Sequence, residues 1–437
     1  MKFLISCWGD PSAWRETLYL FEDREYRSKS STSVLSDHLK PDSILIIVLD
    51  SLIANYDCNF ENYDDLKNSL EKELRTVIED FGMDTEISRI LIAPSVGSYT
   101  TRKGKMKITF LGNLSDFYNH VFSSLVDIFM RSVMEKESLE IHFDVTHGIN
   151  FMPVLTYRIL KEITGILALT KKVKFHVYNS DPYIKEGRLK IHIVEKKDVA
   201  PSFSAIHGNI NSQLRNGKFL KLRDRHEKGE EFSRDRRSKT PMLEDMRKKS
   251  EIFAFISAVS NGFPLAIYSF FPEEEELRNN ILNVIEMIGK YTSIHREKNE
   301  IVVERVINWD ERFILFPSAL LMVGILKGKN VGRKEVITLE ELEKIRDIYH
   351  PISSINSLIS RDLKEFEERK EEFDTSWKDL NEFDERVDIR TFLAHSGLAY
   401  GLIELKKDDG GALLMRYKPN RREKIAQLCI NVCEVGE

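Results

Sequence analysis

Ser43-Ile44-Leu45-Ile46-Ile47-Val48-Leu49-Asp50 carries an apolar run with no polar alternation. A strand that alternates has one face in water; an unbroken run of this length fits a strand covered on both faces, as in the interior of a parallel sheet. Similar short runs flank it: KFLISCW (2–8) before, and RILIAP (89–94), KITFLG (107–112), LEIHFDV (139–145), VKFHVYN (173–179) and LKIHIVE (189–195) after. Between them lie helical patterns. YDDLKNSLEKELRTVIEDFG (63–82) stops at Gly82, LSDFYNHVFSSLVDIFMRSV (114–133) offers Ser115 as a cap, and FMPVLTYRILKEITG (151–165) has Pro153 in its first turn, where a missing N–H costs little. Strand–helix alternation predicts a Rossmann-like α/β domain with a mostly parallel sheet over residues 1–200.

Residues 201–250 change character. They are polar and charged, with Arg223, Arg225, Arg234, Arg236, Arg237 and Lys239 crowded together among acids, and read as a connector or a basic flank. Residues 251–437 read as helices: EIFAFISAV, EEEELRNNILNVIEMIGKY, LEELEKIRDIY, a charged helix over Ile355–Phe373 and another from Trp377 to Ser396. GLIEL (401–405) and ALLMRY (412–417), joined through DDGG, predict a small β-hairpin before a last short helix. The fold class is therefore α/β plus α.

The chain has 437 residues, 42% hydrophobic and 31% charged, enough for more than one core. A net charge of −5 excludes nucleic-acid binding by bulk positive charge, so any such contact must be a local patch. The longest apolar stretch, Phe313 to Leu326, is broken by Pro317 and too short for a membrane span. MKFLISCWGD turns polar too soon for a signal peptide and reads as a strand of a cytoplasmic protein. Cys7, Cys58, Cys429 and Cys433 have no zinc-site spacing, and Cys429 with Cys433 reads as one buried helix face.

In open α/β sheets ligands bind beyond the carboxyl ends of the strands. Four loops fall there: Gly9-Asp10-Pro11-Ser12-Ala13-Trp14, Ser95-Val96-Gly97-Ser98, Asp144-Val145-Thr146-His147-Gly148-Ile149-Asn150 and Asn179-Ser180. Gly9, Gly97 and Gly148 would let backbone N–H groups approach a phosphate, Trp14 could stack on a base, and His147 or Asn150 could bond a ribose or base edge. Equally, each loop could be a turn that returns the chain. No Walker or Gly-x-Gly-x-x-Gly fingerprint is present, which disfavours nucleoside triphosphates and NAD.

The other constellation is Arg390-Thr391-Phe392-Leu393-Ala394-His395. RNA can be cut by its own 2′-OH without a metal, given a proton acceptor or donor that works near neutral pH and a positive group for the phosphorane. Five residues on one helix rotate about 500°, leaving about 140° between the two side chains. One copy of the pair is a poor site, whereas two copies across a two-fold axis would place two Arg and two His in one cleft.

An Arg, four residues and a His, late in a helical domain, resembles the HEPN ribonuclease motif. The loop-bearing α/β domain in front of it, with Asp144 to Asn150, resembles the CARF sensor domain. In this order they resemble the CARF–HEPN ribonucleases of type III CRISPR systems, the ancillary Csx and Csm nucleases, the Csx branch above all. The resemblance implies a homodimer whose CARF pair binds a cyclic oligoadenylate, most often cyclic tetra-adenylate, as an allosteric activator. It implies a HEPN pair that cuts single-stranded RNA with no metal and no catalytic cofactor, leaving a 2′,3′-cyclic phosphate and a 5′-OH. On this sequence Arg390 would stabilise the phosphate and His395 would move the proton. Gly9, Asp10, Pro11, Ser12, Trp14, Ser95, Val96, Gly97, Ser98, Thr146, His147, Gly148, Asn150 and Asn179 would line the ligand. Thr391 departs from the polar Asn, His or Asp usual after the motif Arg. A ligand-responsive transcription regulator using the basic stretch Arg215–Lys249 is the other reading, and a silent module that only dimerises is a third.

Overall fold

A computed structural model describes residues 1–56, 59–102, 104, 106–183, 187–207, 210, 217–223, 228–379 and 387–435. Cys58, Arg215, Arg225 and the stretch 380–386 of the expected Trp377–Ser396 helix lie outside them.

The first half folds into β1 (Lys2–Trp8), β2 (Thr17–Phe21), β3 (Arg24–Ser28), α1 (Ser31–Leu39), β4 (Ser43–Leu49), α2 (Tyr63–Asp80), β5 (Ser88–Ala93), β6 (Gly97–Thr100), β7 (Lys107–Leu111), α3 (Leu114–Ser132), β8 (Ser138–Asp144), α4 (Met152–Leu167), β9 (Lys172–Ser180) and β10 (Arg188–Asp198). The main sheet has the order β3-β2-β10-β9-β8-β1-β4-β5. Its β9, β8, β1, β4 and β5 are parallel, and β10 runs antiparallel to β9. From β1 the chain moves to β4 and β5 on one side, then returns to add β8 and β9 on the other. The switch point therefore falls between β1 and β8, where a crevice opens at the carboxyl edge.

The unbroken run of β4 has a direct cause. Leu45, Ile47 and Leu49 enter one core with Phe117, Phe122 and Ile159 of α3 and α4, while Ile44, Ile46 and Val48 enter another with Leu66, Leu70 and Leu74 of α2. KITFL alternates instead, with Ile108 and Phe110 buried and Lys107 and Leu111 exposed. A strand with one covered face does not suit the middle of that sheet, and β7 pairs elsewhere, antiparallel to β6 and parallel to a strand from the second half. The cap of α3 is Asn113 with Asp116 in a capping box, not Ser115.

The second half holds α5 (Ser204–His207), β11 (Leu220–Leu222), α6 (Gly229–Lys239), α7 (Pro241–Glu244), α8 (Met246–Asn261), α9 (Pro264–Ser269), α10 (Glu274–Lys290), β12 (Thr292–Arg296), β13 (Glu300–Arg305), β14 (Ile307–Trp309), α11 (Leu315–Lys327), β15 (Ile337–Thr338), α12 (Leu339–Ile348), α13 (Ser353–Glu368), β16 (Lys378–Asp379), α14 (Ile389–Ala394), β17 (Ile403–Lys407), β18 (Leu413–Tyr417) and α15 (Arg422–Val435). β13 is the strand that pairs with β7, in the sheet β12-β13-β7-β6, so the two halves share backbone hydrogen bonds. The 201–250 stretch is less of a free connector than its polarity suggests. Phe232, Met242 and Leu243 are buried, and Arg223, Arg236 and Lys239 pair with Asp116, Glu244 and Glu286. Much of its basic character is thereby neutralised internally.

The long helix expected over Trp377–Ser396 is not formed. β16 occupies 378–379 and α14 is a separate short helix. Asp388 starts it by accepting from the Thr391 N–H at 2.7 Å, and Ser396 and Gly397, both at positive φ, end it. The hairpin β17–β18 forms the centre of the sheet β15-β18-β17-β16. Cys7, Cys429 and Cys433 are buried, and among the described residues no helix is long and apolar enough to cross a membrane.

Candidate functional site

The loops after β1, β5, β8 and β9 lie at one edge of the fold, as the topology requires, but their residues do different work. The Gly9 N–H donates to the His147 carbonyl at 2.8 Å, joining the first and third loops across the crevice. A Cβ on Gly9 would stand 2.7 Å from Ile149 Cγ2, and one on Gly148 would overlap Pro153. Close loop-to-loop contact alone is enough to require glycine at both positions. Asp10 accepts from Ser12 N at 3.0 Å and Ser12 Oγ at 2.7 Å, and Pro11 is buried.

Asp144 is wholly buried at the end of β8. Its Oδ2 accepts from Ser31 Oγ and Thr32 Oγ1, each at 2.8 Å, and its Oδ1 accepts from Thr146 N at 3.0 Å. Ser31 N donates to His147 Nε2 at 3.2 Å. That bond assigns the ring's proton to Nδ1, and burial pushes the His147 pKa down, so the ring is neutral. Trp14 stacks on it with centroids 3.8 Å apart and on Phe81 at 5.8 Å, and so spends its ring inside the protein. Thr146 Oγ1 accepts from Ser180 N at 3.0 Å, tying β8 to β9. The sequence reading missed Ser31 and Thr32; the hydroxyl run Ser30-Ser31-Thr32-Ser33 at the start of α1 was the available signal.

Ser95 departs furthest from the ligand-contact expectation. It is fully buried, its N–H and hydroxyl both go to Asp50 Oδ1 at 2.9 and 2.6 Å, and its carbonyl accepts from Arg305 Nη1 at 2.7 Å. Arg305 pairs with Asp50, which also accepts from Tyr63 OH at 2.9 Å. Ser95 is thus a pin between the sheet and β13. Ala13, Gly97, Ser98, Ile149, Asn150 and Asn179 are exposed at the edge; Asp10, Ser12, Trp14, Val96, Thr146, His147 and Gly148 are half-buried. Asn150 has φ +53°, a conformation Asn tolerates better than most residues.

At the other site, Arg390 sits in the first turn of α14 and is exposed; His395 follows its last turn with its imidazole 35% exposed. The two side chains form no hydrogen bond to each other. Asp388 caps α14 by accepting from the Thr391 N–H, a bond that holds its pKa below the usual carboxylate range. His395 Nδ1 faces Asp362 Oδ1 of α13 at 3.7 Å. Asp362 is 1% exposed; burial raises its pKa against the opposing pull of Arg361, which donates to Oδ1 from Nε at 3.1 Å and Nη2 at 2.8 Å. Arg361 also donates to the Ala394 carbonyl, next to His395. Tyr400 stands 5.8 Å from the His395 ring, donates to Glu365, and lies beneath Arg369. Asp362 was not singled out from sequence. Its signal was a charge among Ile359, Leu363 and Phe366 on the buried face of α13.

Comparison with known families matches residues 3–182 to the CARF domain of CRISPR system endoribonuclease Csx1 and residues 353–421 to the HEPN domain of the same family. The CRISPR system endoribonuclease Csx1 of Methanocaldococcus jannaschii is 30% identical over 423 residues, spanning 92% of this chain and 86% of its own length. The exposed carboxyl edge lies in the first matched segment, and Asp362, Arg390 and His395 lie in the second.

Proposed function

The chain belongs to the Csx1 family of CRISPR system endoribonucleases, and from that premise we propose that it cuts single-stranded RNA in a cleft built by two copies of Arg390 and His395. The single observation that carries this reading is the pair of side chains itself. An exposed guanidinium and a half-exposed imidazole lie at opposite ends of a short helix, and the imidazole is backed by a buried carboxylate.

The RNA supplies the nucleophile. His395 accepts or returns the proton as the 2′-OH attacks, and Arg390 offsets charge on the pentacoordinate phosphate. The bond to the 5′-oxygen breaks, giving a 2′,3′-cyclic phosphate and a 5′-OH. Asp362 facing Nδ1 favours the tautomer with the proton there and leaves Nε2 as the working nitrogen. No step in this route needs a metal. Since Arg390 and His395 lie at opposite ends of α14 and make no bond to each other, a second copy of the chain completes the cleft, and a homodimer is part of the proposal.

The activator is a cyclic oligoadenylate, cyclic tetra-adenylate in first place, lying across two carboxyl edges with Gly97, Ser98, Ile149, Asn150 and Asn179 towards it. For ligand to act at the distant cleft it must favour one of two states by differential affinity. Arg305 supports a route, because it joins the Ser95 loop to β13 and hence to the second half of the chain.

The test is cleavage of a labelled single-stranded RNA in EDTA with cyclic tetra-adenylate, with cyclic hexa-adenylate and with neither. Rapid cutting with one ring alone is expected, and Arg390→Ala and His395→Ala each abolish it while keeping ring affinity. A wild-type chain that binds the ring yet cuts nothing, or that needs added metal, overturns the reading.

A further inference from the structure

We propose that Asp362, Glu365 and His395 form a site for a borderline divalent cation, Zn2+ above others, and that occupancy of this site switches the ribonuclease off. Binding stands on geometry alone; the effect on cleavage rests on the function proposed above.

Asp362 and Glu365 are three residues apart on α13 and so share a face, while His395 enters from the end of α14. One ligand atom from each lies within 4.8 Å of the others. His395 Nδ1 and Asp362 Oδ1 are 3.7 Å apart. That is too long for a hydrogen bond, but close to the roughly 3.3 Å separating two atoms on one tetrahedral zinc with bonds of about 2.0 Å.

A second observation concerns the pairing of Asp362 rather than its spacing from the other two side chains. Asp362 is buried, and among the described residues neither its Oδ2 nor the adjoining buried hydroxyl of Ser396 makes a hydrogen bond of good geometry, although Ser396 stands close enough to lower the Asp362 pKa. Leaving a buried carboxylate oxygen poorly paired is costly, and a cation would remove that cost. Neighbouring groups bound the site. Arg361 occupies Oδ1 and Tyr400 OH binds Glu365, so the ion would share the carboxylates with one guanidinium and one phenol.

The donor set selects the ion. One imidazole and two carboxylates suit Zn2+, Co2+ or Ni2+; Mg2+ and Ca2+ prefer all-oxygen shells, and no thiolate is present for softer ions. With His395 partly exposed, water can take the fourth position. Inhibition follows from proton placement: a neutral ring bound to metal through Nδ1 carries its proton on Nε2, leaving no lone pair to accept one from the 2′-OH.

The metal-free full-length protein is titrated with ZnSO4 against a zinc-binding dye, and RNA cleavage is followed with activator at rising Zn2+. One ion per chain is expected, with cleavage lost as it binds, restored by EDTA and untouched by MgCl2. Glu365→Gln should cut RNA normally in EDTA yet need roughly tenfold or more Zn2+ for the same binding and inhibition. No zinc uptake, or uptake that neither Glu365→Gln nor His395→Ala weakens, overturns the site. Zinc that binds but raises the cleavage rate overturns the inhibitory role. A chain that never cuts RNA sinks the nuclease reading, while the dye titration still decides the site.

Discussion

Two buried aspartates organise the two ends of this molecule. Asp144 ends a strand of the sheet, and the side chains of Ser31 and Thr32 and the N–H of Thr146 all point at it. Asp362 sits on a helix, has one oxygen held by Arg361 and the other poorly paired, and faces a half-exposed histidine. The carboxyl edge is thus finished within one chain: its loops are tied to each other before any ligand arrives, which lowers the ordering cost of binding. The end of α14 is unfinished in one chain, with a poorly paired oxygen and an exposed Arg390. A scaffold can be complete in isolation, whereas a proton-transfer site of the kind proposed would keep groups in reserve for substrate and for a second copy.

The largest expected effect breaks the two regions apart. His395→Ala and Arg390→Ala should each lower activated RNA cleavage by about 10²–10⁴-fold, with unchanged thermal unfolding and ring affinity by calorimetry, because neither touches the carboxyl edge. A parallel loss of ring binding would mean that the two ends are one site.

Next in size is the joint between them. Arg305 is 1% exposed and meets Asp50 and the Ser95 carbonyl. Arg305→Met strands the Asp50 carboxylate in the interior and should cost about 3–5 kcal/mol in urea unfolding. Below that in magnitude, Gly148→Ala drives a methyl into Pro153 and against Cys7, and about 1–3 kcal/mol is expected from the forced shift. Ring affinity should fall with it while Arg390 and His395 stay in place. Unchanged stability in Gly148→Ala would show that the loops yield easily and that the edge is less finished than its hydrogen bonds imply.

What could be read from the sequence follows the same division. β4 was legible because Ile44 to Leu49 feed two cores at once, and a buried parallel strand has no other simple pattern. KITFL was legible as a strand but not as a member of a second sheet, since its partner Ile301–Glu304 lies far along the chain in a region that reads as helical. Topology places the loops but not what their residues touch: Ser95 turns inward to Asp50, and Gly9 and Gly148 are already required by close packing. Local sequence gives a loop's residue types, not their partners. Asp50 and Arg305 are 255 positions apart, and Asp362 and His395 also meet only through tertiary packing. Arg390 and His395 were found by motif alone; the carboxylate behind His395 was not.

The smallest effect concerns acid. His142 lies on β8, the strand that ends in Asp144, and is 2% exposed; its Nδ1 is 2.7 Å from Tyr178 OH, and among the described residues its Nε2 makes no hydrogen bond, with Glu140 Oε2 3.9 Å away. Burial first, and the nearby His176 second, push its pKa down to about 3 from an ordinary 6.5. The folded ring stays neutral where the unfolded one takes a proton, so the unfolded state gains protons below pH 6.5. Stability is therefore complete above pH 6.5 and falls as the pH drops towards 3, by at most about 1.4 kcal/mol per pH unit from this side chain. Urea unfolding at pH 7 and pH 5 should differ by up to about 2 kcal/mol more in the wild type than in His142→Gln, which cannot titrate. An equal pH slope in both would mean that water reaches the His142 ring, and that the strand beneath Asp144 is less sealed than the side chains around it indicate.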